Sequence, residues 1–367
     1  MMPDLTWLMT VIRLLIPAII ILAVAPVGMM YLTWLERKVI ARIQGRVGPN
    51  RVGPYGLLQP LADGVKMLTK EDLIPRGADV LCHFLAPILI VVPALFLFTV
   101  LPIGPTLVAA PLTTGLLFFV AVGSVGTLAI FAAGWGSRNK FALLGATRSA
   151  AQLAAYEVPL VLSLAVIPLM TGSLNMTEIV QAQQAKWFVF TPWGLTGFIL
   201  ILITGLAEVN RTPFDLPEAE SEIIGGFHTE YSGMKFALFY MAEFLGTLAL
   251  GMLASVLFLG GWHGPFLPGP VWLLLKTFSI IFFAIWVRGT WPRFRVDHLM
   301  EFAWKVLLPL ALSNLLGAAF CALKGGWIGN IVATALPISV FLLTTQLWLK
   351  PRPRPTTAWI ETNSQSN

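Results

Sequence analysis

Nine stretches of this chain are apolar and long enough to be read as membrane crossings, and nothing else about it restricts the fold as much. A hydrocarbon core of about 30 Å takes about 20 predominantly apolar helical residues to cross. The candidate spans are 8–34, 82–103, 112–135, 146–170, 191–207, 236–260, 271–287, 303–323 and 327–349. Apolar residues make up 57% of the sequence and charged ones 11%, with a mean hydropathy of +0.79. A soluble globular domain carries about a quarter charged residues. The expected fold is therefore all-α: a polytopic membrane helix bundle of about nine transmembrane helices over 1–349, followed by a polar tail, 350–367. The first apolar stretch is longer than a signal-peptide core and ends in WLERK without a small-residue cleavage site, so it reads as a retained helix.

Lys and Arg set the expected orientation. All but four of the 24 cations (Arg13, Lys186, Lys276 and Lys324) fall in or beside the connections after spans 1, 3, 5 and 7 and in the tail. Nine spans then place the N-terminus outside and the C-terminus in the cytoplasm, with the main cytoplasmic loops at 36–80 and 208–235. A count with 303–349 as a broken pair, or one span fewer, would spoil this alternation. The opposite-face connections are short and nearly uncharged. The exception is 171–190, where an Asn cap opens a small surface helix in SLNMTEIVQAQQ.

Several chemistries have no support. Cys82 and Cys321 are far apart in sequence and read as buried apolar side chains, not as a disulfide framework or iron–sulfur ligands. His83, His228, His263 and His298 lack metal-ligand spacing, so no metal site is expected. No Gly-rich nucleotide fingerprint follows a strand-like run, and no polar segment is long enough for a dinucleotide domain. A nucleic-acid partner is not expected either.

The first cytoplasmic connection repeats RVGP at 46–49 and 51–54 around Asn50, and Gly-Pro pairs punctuate irregular backbone. Beyond it Leu57, Leu58, Leu61, Val65 and Leu68 share one helical face, with Gln59, Asp63, Lys66 and Lys70 elsewhere: an amphipathic interfacial helix. A basic loop resting on anionic lipid and a rigid portal beside the membrane both fit this pattern.

Acidic residues form a second pattern. Residues 207–232 hold Glu208, Asp215, Glu218, Glu220, Glu222 and Glu230 between two apolar spans. Carboxylates at a membrane boundary are costly. If DLPEAESE is helical, Glu218 and Glu222 share a face and Glu220 points elsewhere, so the like charges raise one another's pKa and the group becomes a proton store. Pro213 and Pro217 keep this loop from extending a helix. Within spans lie Glu157, in AAYEVPL, and Glu243, two turns below Lys235. A charged carboxyl there costs about 3 kcal/mol on insertion scales, which favours its neutral form. Each is either a proton carrier or a neutral acid bonded to a neighbouring helix.

WLERKVIARIQGRVGPNRVGPYGLLQPLADGVK, GSRNKFALLGATRSAAQLAAYEVPL, AEVNRTPFDLPEAESEIIGGFHTEYSGMKFA and WPRFRVDHLM, in that order, resemble the quinone-site membrane subunit of respiratory complex I. Its bacterial form carries the letter H and its mitochondrial form the number 1. The similarity runs from about residue 8 to 323; span 327–349 lies beyond the mitochondrial form and resembles the bacterial one. Arg138 stands where a small polar residue or Asn is common, and Val296-Asp297-His298 replaces a usual Tyr-Asp-Gln.

The resemblance implies a subunit of a proton-pumping NADH:quinone oxidoreductase in the bacterial inner membrane. It implies quinone as substrate, flavin and iron–sulfur clusters in peripheral partner subunits, further membrane subunits, and lipid contacts; no cofactor is expected on this chain alone. Arg37, Arg46, Asp63 and Arg293 match positions near the quinone chamber. Glu157, Glu208, Asp215, Glu218, Glu220, Glu222 and Glu243 match the proton path. A quinone head has two carbonyl acceptors on an apolar tail, so cationic donors in a greasy wall suit it. Two other readings stay open: a stand-alone proton or cation transporter, which would be expected to show internal repeats, and a structural anchor for a soluble redox partner.

Overall fold

The computed structural model describes residues 5–216 and 224–348, and these residues form helices and loops without a strand. Eight segments are long and apolar enough to span: α1 (Leu5–Ile43), α3 (Val80–Val100), α4 (Gly115–Gly136), α5 (Lys140–Thr171), α8 (Gly233–Phe258), α9 (Gly269–Thr290), the continuous Val296–Lys324 segment and α12 (Gly326–Trp348). The Val296–Lys324 segment comprises α10 (Val296–Phe302), a π-helical turn at Ala303–Leu307 and α11 (Leu308–Lys324). A ninth apolar helix, α7 (Pro192–Glu208), has 17 residues; at 1.5 Å per residue it is about 26 Å long, a crossing at the short limit. Two shorter helices complete the set among the described residues, α2 (Gln59–Thr69) and α6 (Met176–Ala182). The nine apolar runs thus each become one helical segment.

Helix ends follow local chemistry. Asp79 caps α3 by accepting from the amides of Leu81 and Cys82, and Asn139 caps α5 through the Phe141 amide. Asn175 caps α6, the small helix expected there, through the Thr177 amide. The first helix departs from expectation: it continues through WLERKVIARI to Ile43, about two turns beyond the expected span. That segment contains no Gly or Pro, and the turn arrives only at Gly45, whose φ is +67°. Glu36 and Arg37, expected in a loop, therefore stand on a rigid helix.

At the centre is α8, on which every residue from Ala249 to Phe258 is buried. A helix covered on all faces sits inside a bundle. Helices α3, α7 and α9 pack against it, and α4, α5 and α11 extend the layer. By contrast α1 and α12 expose long apolar faces, Ile19, Leu22 and Val24 on α1 and Ile338, Leu342 and Leu343 on α12. Of the five apolar positions expected on one helical face, Leu61, Val65 and Leu68 lie on α2, whereas Leu57 and Leu58 fall in the turn before it; all five are exposed. Lys276, one of the four cations off the charge pattern, is satisfied internally. Its Nζ donates to the carbonyls of Leu259 (2.5 Å), Gly261 (3.0 Å) and His263 (2.7 Å) just past the C-terminus of α8, and it lies 4.1 Å from the Trp187 ring.

Candidate functional site

The end of α1 presents two adjacent, oppositely charged residues to two different environments. Arg37 points outward, where its Nη1 donates to Asp63 Oδ2 of α2 at 2.6 Å. Asp63 also accepts from Gln59 and Lys66, both at 3.3 Å. Partial burial would raise the Asp63 carboxyl, but Arg37, Gln59 and Lys66 outweigh it and hold the group below the usual carboxylate range. The Asp63 carboxyl is therefore ionised at neutral pH. Two of the expected quinone-site residues are thus brought together by the docking of α2 on α1.

Arg46 and Arg293 lie elsewhere. Arg46 is exposed on the turn after α1 and donates to Gln44 Oε1 at 2.8 Å. Arg293 is exposed on the loop after α9, and that loop is held by the Phe294 amide bonding to Pro213 O at 3.2 Å and by the Phe214 and Phe294 rings, 5.8 Å apart. The loop carrying Arg293 therefore leans on the loop carrying Asp215.

Glu36 points inward and is buried. Its two oxygens accept from Arg211 Nη1 and from Arg288 Nη1 of α9. Arg211 Nε lies 2.9 Å from Glu243 Oε1, and its guanidinium stacks 4.2 Å from the Phe244 ring. Two carboxyl groups and two guanidinium groups thus form one cluster joining α1, α8, α9 and the turn after α7. Breaking a buried pair by deleting one partner costs about 3–5 kcal/mol, because the survivor keeps its desolvation penalty.

Beyond Glu243 opens a cavity with about 160 Å³ of room for water, lined by α3, α4, α5, α8, the end of α7 and Val209, Asn210, Phe227 and His228 of the loop that follows it. A single water needs roughly 10–15 Å³ on this measure, so the space is large enough for water beside its polar groups. Glu157, Glu208 and Glu243, placed on three different helices, all line it. Glu157 accepts from Ser124 of α4. One oxygen of Glu208 is buried without a hydrogen-bond partner among the described residues, which a water in the cavity could satisfy. His228 lines the same space from the loop, and burial pushes its imidazole down to about 4, so it is neutral at pH 7.

The acidic loop is anchored from below. Gln152 Nε2 on α5 donates to Ala207 O (2.9 Å) and Phe214 O (2.7 Å), fixing the end of α7 and the turn into the loop. Its return packs tightly on α5, where a Cβ on Gly145 would stand 2.8 Å from the Gly226 backbone. Asp215 lies on this anchored stretch and does not line the cavity. Glu218, Glu220 and Glu222 lie outside the described residues. Lys235 does not reach Glu243; it pairs at 2.8 Å with Asp72 and ties the 70–79 loop to α8. Among the described residues no group of three His, Cys, Asp or Glu is placed to hold a metal ion.

A family model described as NADH dehydrogenase matches residues 16–319. The chain belongs to that family. It is 48% identical over 329 residues to the H subunit of NADH-quinone oxidoreductase from Dehalococcoides mccartyi strain CBDB1, covering 90% of this chain and 92% of that protein. It is 50% identical over 296 residues to the first of the H subunits of NADH-quinone oxidoreductase from Geobacter metallireducens, covering 78% and 89%. The corresponding protein of Brevibacillus brevis is 48% identical over 312 residues, covering 84% and 92%. The stretch matched by the NADH dehydrogenase family contains every candidate site residue and ends within α11, so α12 lies beyond it.

Sequence reasoning did not single out Glu36, Arg211, Arg288, Ser124 or His228. Glu36 and Arg211 carried one available signal: each stands at the edge of an apolar run, inside a motif already quoted for the family resemblance. Arg288 and Ser124 carried none, because only packing turns them toward acids on other helices.

Proposed function

We propose that this chain is the quinone-facing membrane subunit of a multisubunit NADH:quinone oxidoreductase and that it couples quinone reduction to proton movement. One observation carries the reading: charged contacts run from the membrane interface to a cavity among the helices. Asp63 pairs with Arg37; the adjacent Glu36 pairs with Arg211 and Arg288; Arg211 meets Glu243; and Glu243 shares the cavity with Glu208 and Glu157. A lipid-facing anchor would not need ionised groups linked into the bundle at such desolvation cost.

In this reading Arg37, Arg46 and Arg293 offer donors to quinone carbonyls and Asp63 orients Arg37, while the exposed apolar face of α2 lines the entry from the bilayer. Electrons come through flavin and iron–sulfur clusters in peripheral partners, and other membrane subunits continue the proton route. The expected setting is a bacterial inner membrane with the N-terminus outside and the C-terminus cytoplasmic. Reducing neutral quinone to neutral quinol takes up two electrons and two protons, so a unit of negative charge faces Arg37 only while the electrons are ahead of the protons. At an effective dielectric of 20, a unit charge at about 8 Å is worth about 2 kcal/mol, more than one pKa unit. That is enough to redistribute protons among Asp215, Glu218, Glu220 and Glu222 in the loop and Glu208, Glu243 and Glu157 at the cavity.

Glu157→Gln tests the coupling. The amide keeps volume and hydrogen bonding but cannot exchange a proton. In reconstituted vesicles the assembled variant should turn over at least about ten-fold more slowly, and residual electron transfer should acidify poorly. Normal quinone reduction with normal proton translocation would remove Glu157 from the route.

A further inference from the structure

A second opening lies away from the charge array, where α3 begins, α4 ends and α5 begins. It is a surface depression of about 490 Å³ lined by the Gly77–Asp79 segment, Trp135, Arg138, Asn139 and Lys140, among others, a size within the usual range for ligand sites. The Asp79 amide bonds Gly136 O at 2.9 Å, which locks two helix ends at one level. Helices α3 and α4 have 21 and 22 residues, so each is about 32 Å long and their shared end falls at the edge of the hydrocarbon core.

The groups at that level are of opposite kinds on its two sides. On the helices below, Leu81 and Phe84 of α3 and Leu128 and Phe131 of α4 are exposed, and the Phe131 ring lies 6.3 Å from Trp135. At the opening itself Trp135 is exposed, as a ring at a membrane–water interface would be. Arg138 and Lys140 are exposed and form no ion pair with another described residue. Two acids lie near them, and both are engaged: Asp79 accepts from the first amides of α3, and Glu230 accepts from Asn139 Nδ2 at 2.5 Å. Arg138 is held at φ +48°, where Asn or Gly is easier to place.

We propose that this opening binds the phosphate headgroup of an anionic phospholipid, with Arg138 and Lys140 meeting the phosphate, Trp135 at the glycerol level and the acyl chains on the apolar faces of α3 and α4. Charge complementarity selects an anion. The apolar wall directly below selects a lipid over a free phosphate or an acidic protein segment. The site is distinct from the quinone and proton reading and does not depend on it.

Arg138→Asn combined with Lys140→Gln removes both charges, and Asn suits the backbone at 138. The native assembly would be purified through a tag on this chain, washed in detergent and its retained phospholipids counted by mass spectrometry, with Arg138→Lys as the charge-keeping control. The double variant should lose about one tightly held phosphatidylglycerol or cardiolipin per complex, keep its subunits and retain its phosphatidylethanolamine. The washed variant should also need several-fold more phosphatidylglycerol than wild type for reactivation, and Arg138→Lys should behave as wild type. An unchanged anionic-lipid count overturns the site, as does displacement of the wild-type lipid by inorganic phosphate. Loss of a partner subunit in place of a lipid would assign the opening to a protein contact and overturn the proposal equally.

Discussion

Glu36 and Arg37 are neighbours on one helix, yet they belong to two electrostatic regimes. The Arg37 side chain is 52% exposed and its partner Asp63 is 24% exposed, whereas Glu36 is 7% exposed and its partner Arg211 is 4% exposed. Water screens the first pair, so it contributes little to stability, about 0–1 kcal/mol, and is free to exchange one partner for a ligand. The second pair has lost its water and is held by the cluster. It cannot exchange partners cheaply, but a charge change beside it is felt at longer range. A chain that must receive a substrate at the interface and transmit the event inward needs both kinds, and successive residues of α1 supply them.

The largest effect should come from breaking the buried regime. Arg211→Leu leaves Glu243 and part of Glu36 uncompensated at about 3–5 kcal/mol, so native gels should show the assembled complex reduced to a small fraction. Wild-type assembly would mean that the cluster is hydrated and that the two regimes are one.

Glu243→Gln is milder structurally, because Arg211 keeps Glu36. Activity per assembled complex should fall by about ten-fold or more if Glu243 links cluster and cavity, since each 1.4 kcal/mol of lost coupling is a factor of about ten. Quinone reduction at the wild-type rate would separate the two regions functionally.

Asp63→Asn addresses the exposed regime. Assembly and melting temperature should stay unchanged, while KM for quinone rises several-fold because Arg37 loses its orienting partner. The Asp63 carboxyl is held below its usual 3.8, so its pairing is complete above that value and is lost only as pH falls through the lower folded value. Quinone affinity should therefore show no titration from Asp63 near neutrality. A lost assembly in this variant would make the exposed pair structural.

The smallest effect belongs to His228, half-buried beside the cavity and pushed down to about 4 from 6.5. The unfolded chain takes up its proton below 6.5 and the folded chain only near 4, so stability is lost as pH falls between those values. His228→Gln should flatten the acid-side decline in melting temperature by a few degrees. An identical decline would show that His228 stays hydrated and that the cavity is as open as the interface.

Much of this protein was legible without coordinates. Apolar length determined nine helical segments because backbone groups in lipid have no other partner than their own helix, and the face made by Leu61, Val65 and Leu68 marked α2 as interfacial. The long ordered motifs identified the family, and the cost of a carboxyl in hydrocarbon singled out Glu157 and Glu243. Tertiary structure alone decided which charges meet. Glu36 finds Arg211 and Arg288 across 175 and 252 residues of sequence, and no periodicity encodes such a distance. Nor could the pattern reveal that Lys235 serves Asp72 and not Glu243, or that Glu157, Glu208 and Glu243 surround one cavity. A helix's own sequence sets which residues share its face; which other helix that face meets is set by the packing of the whole bundle.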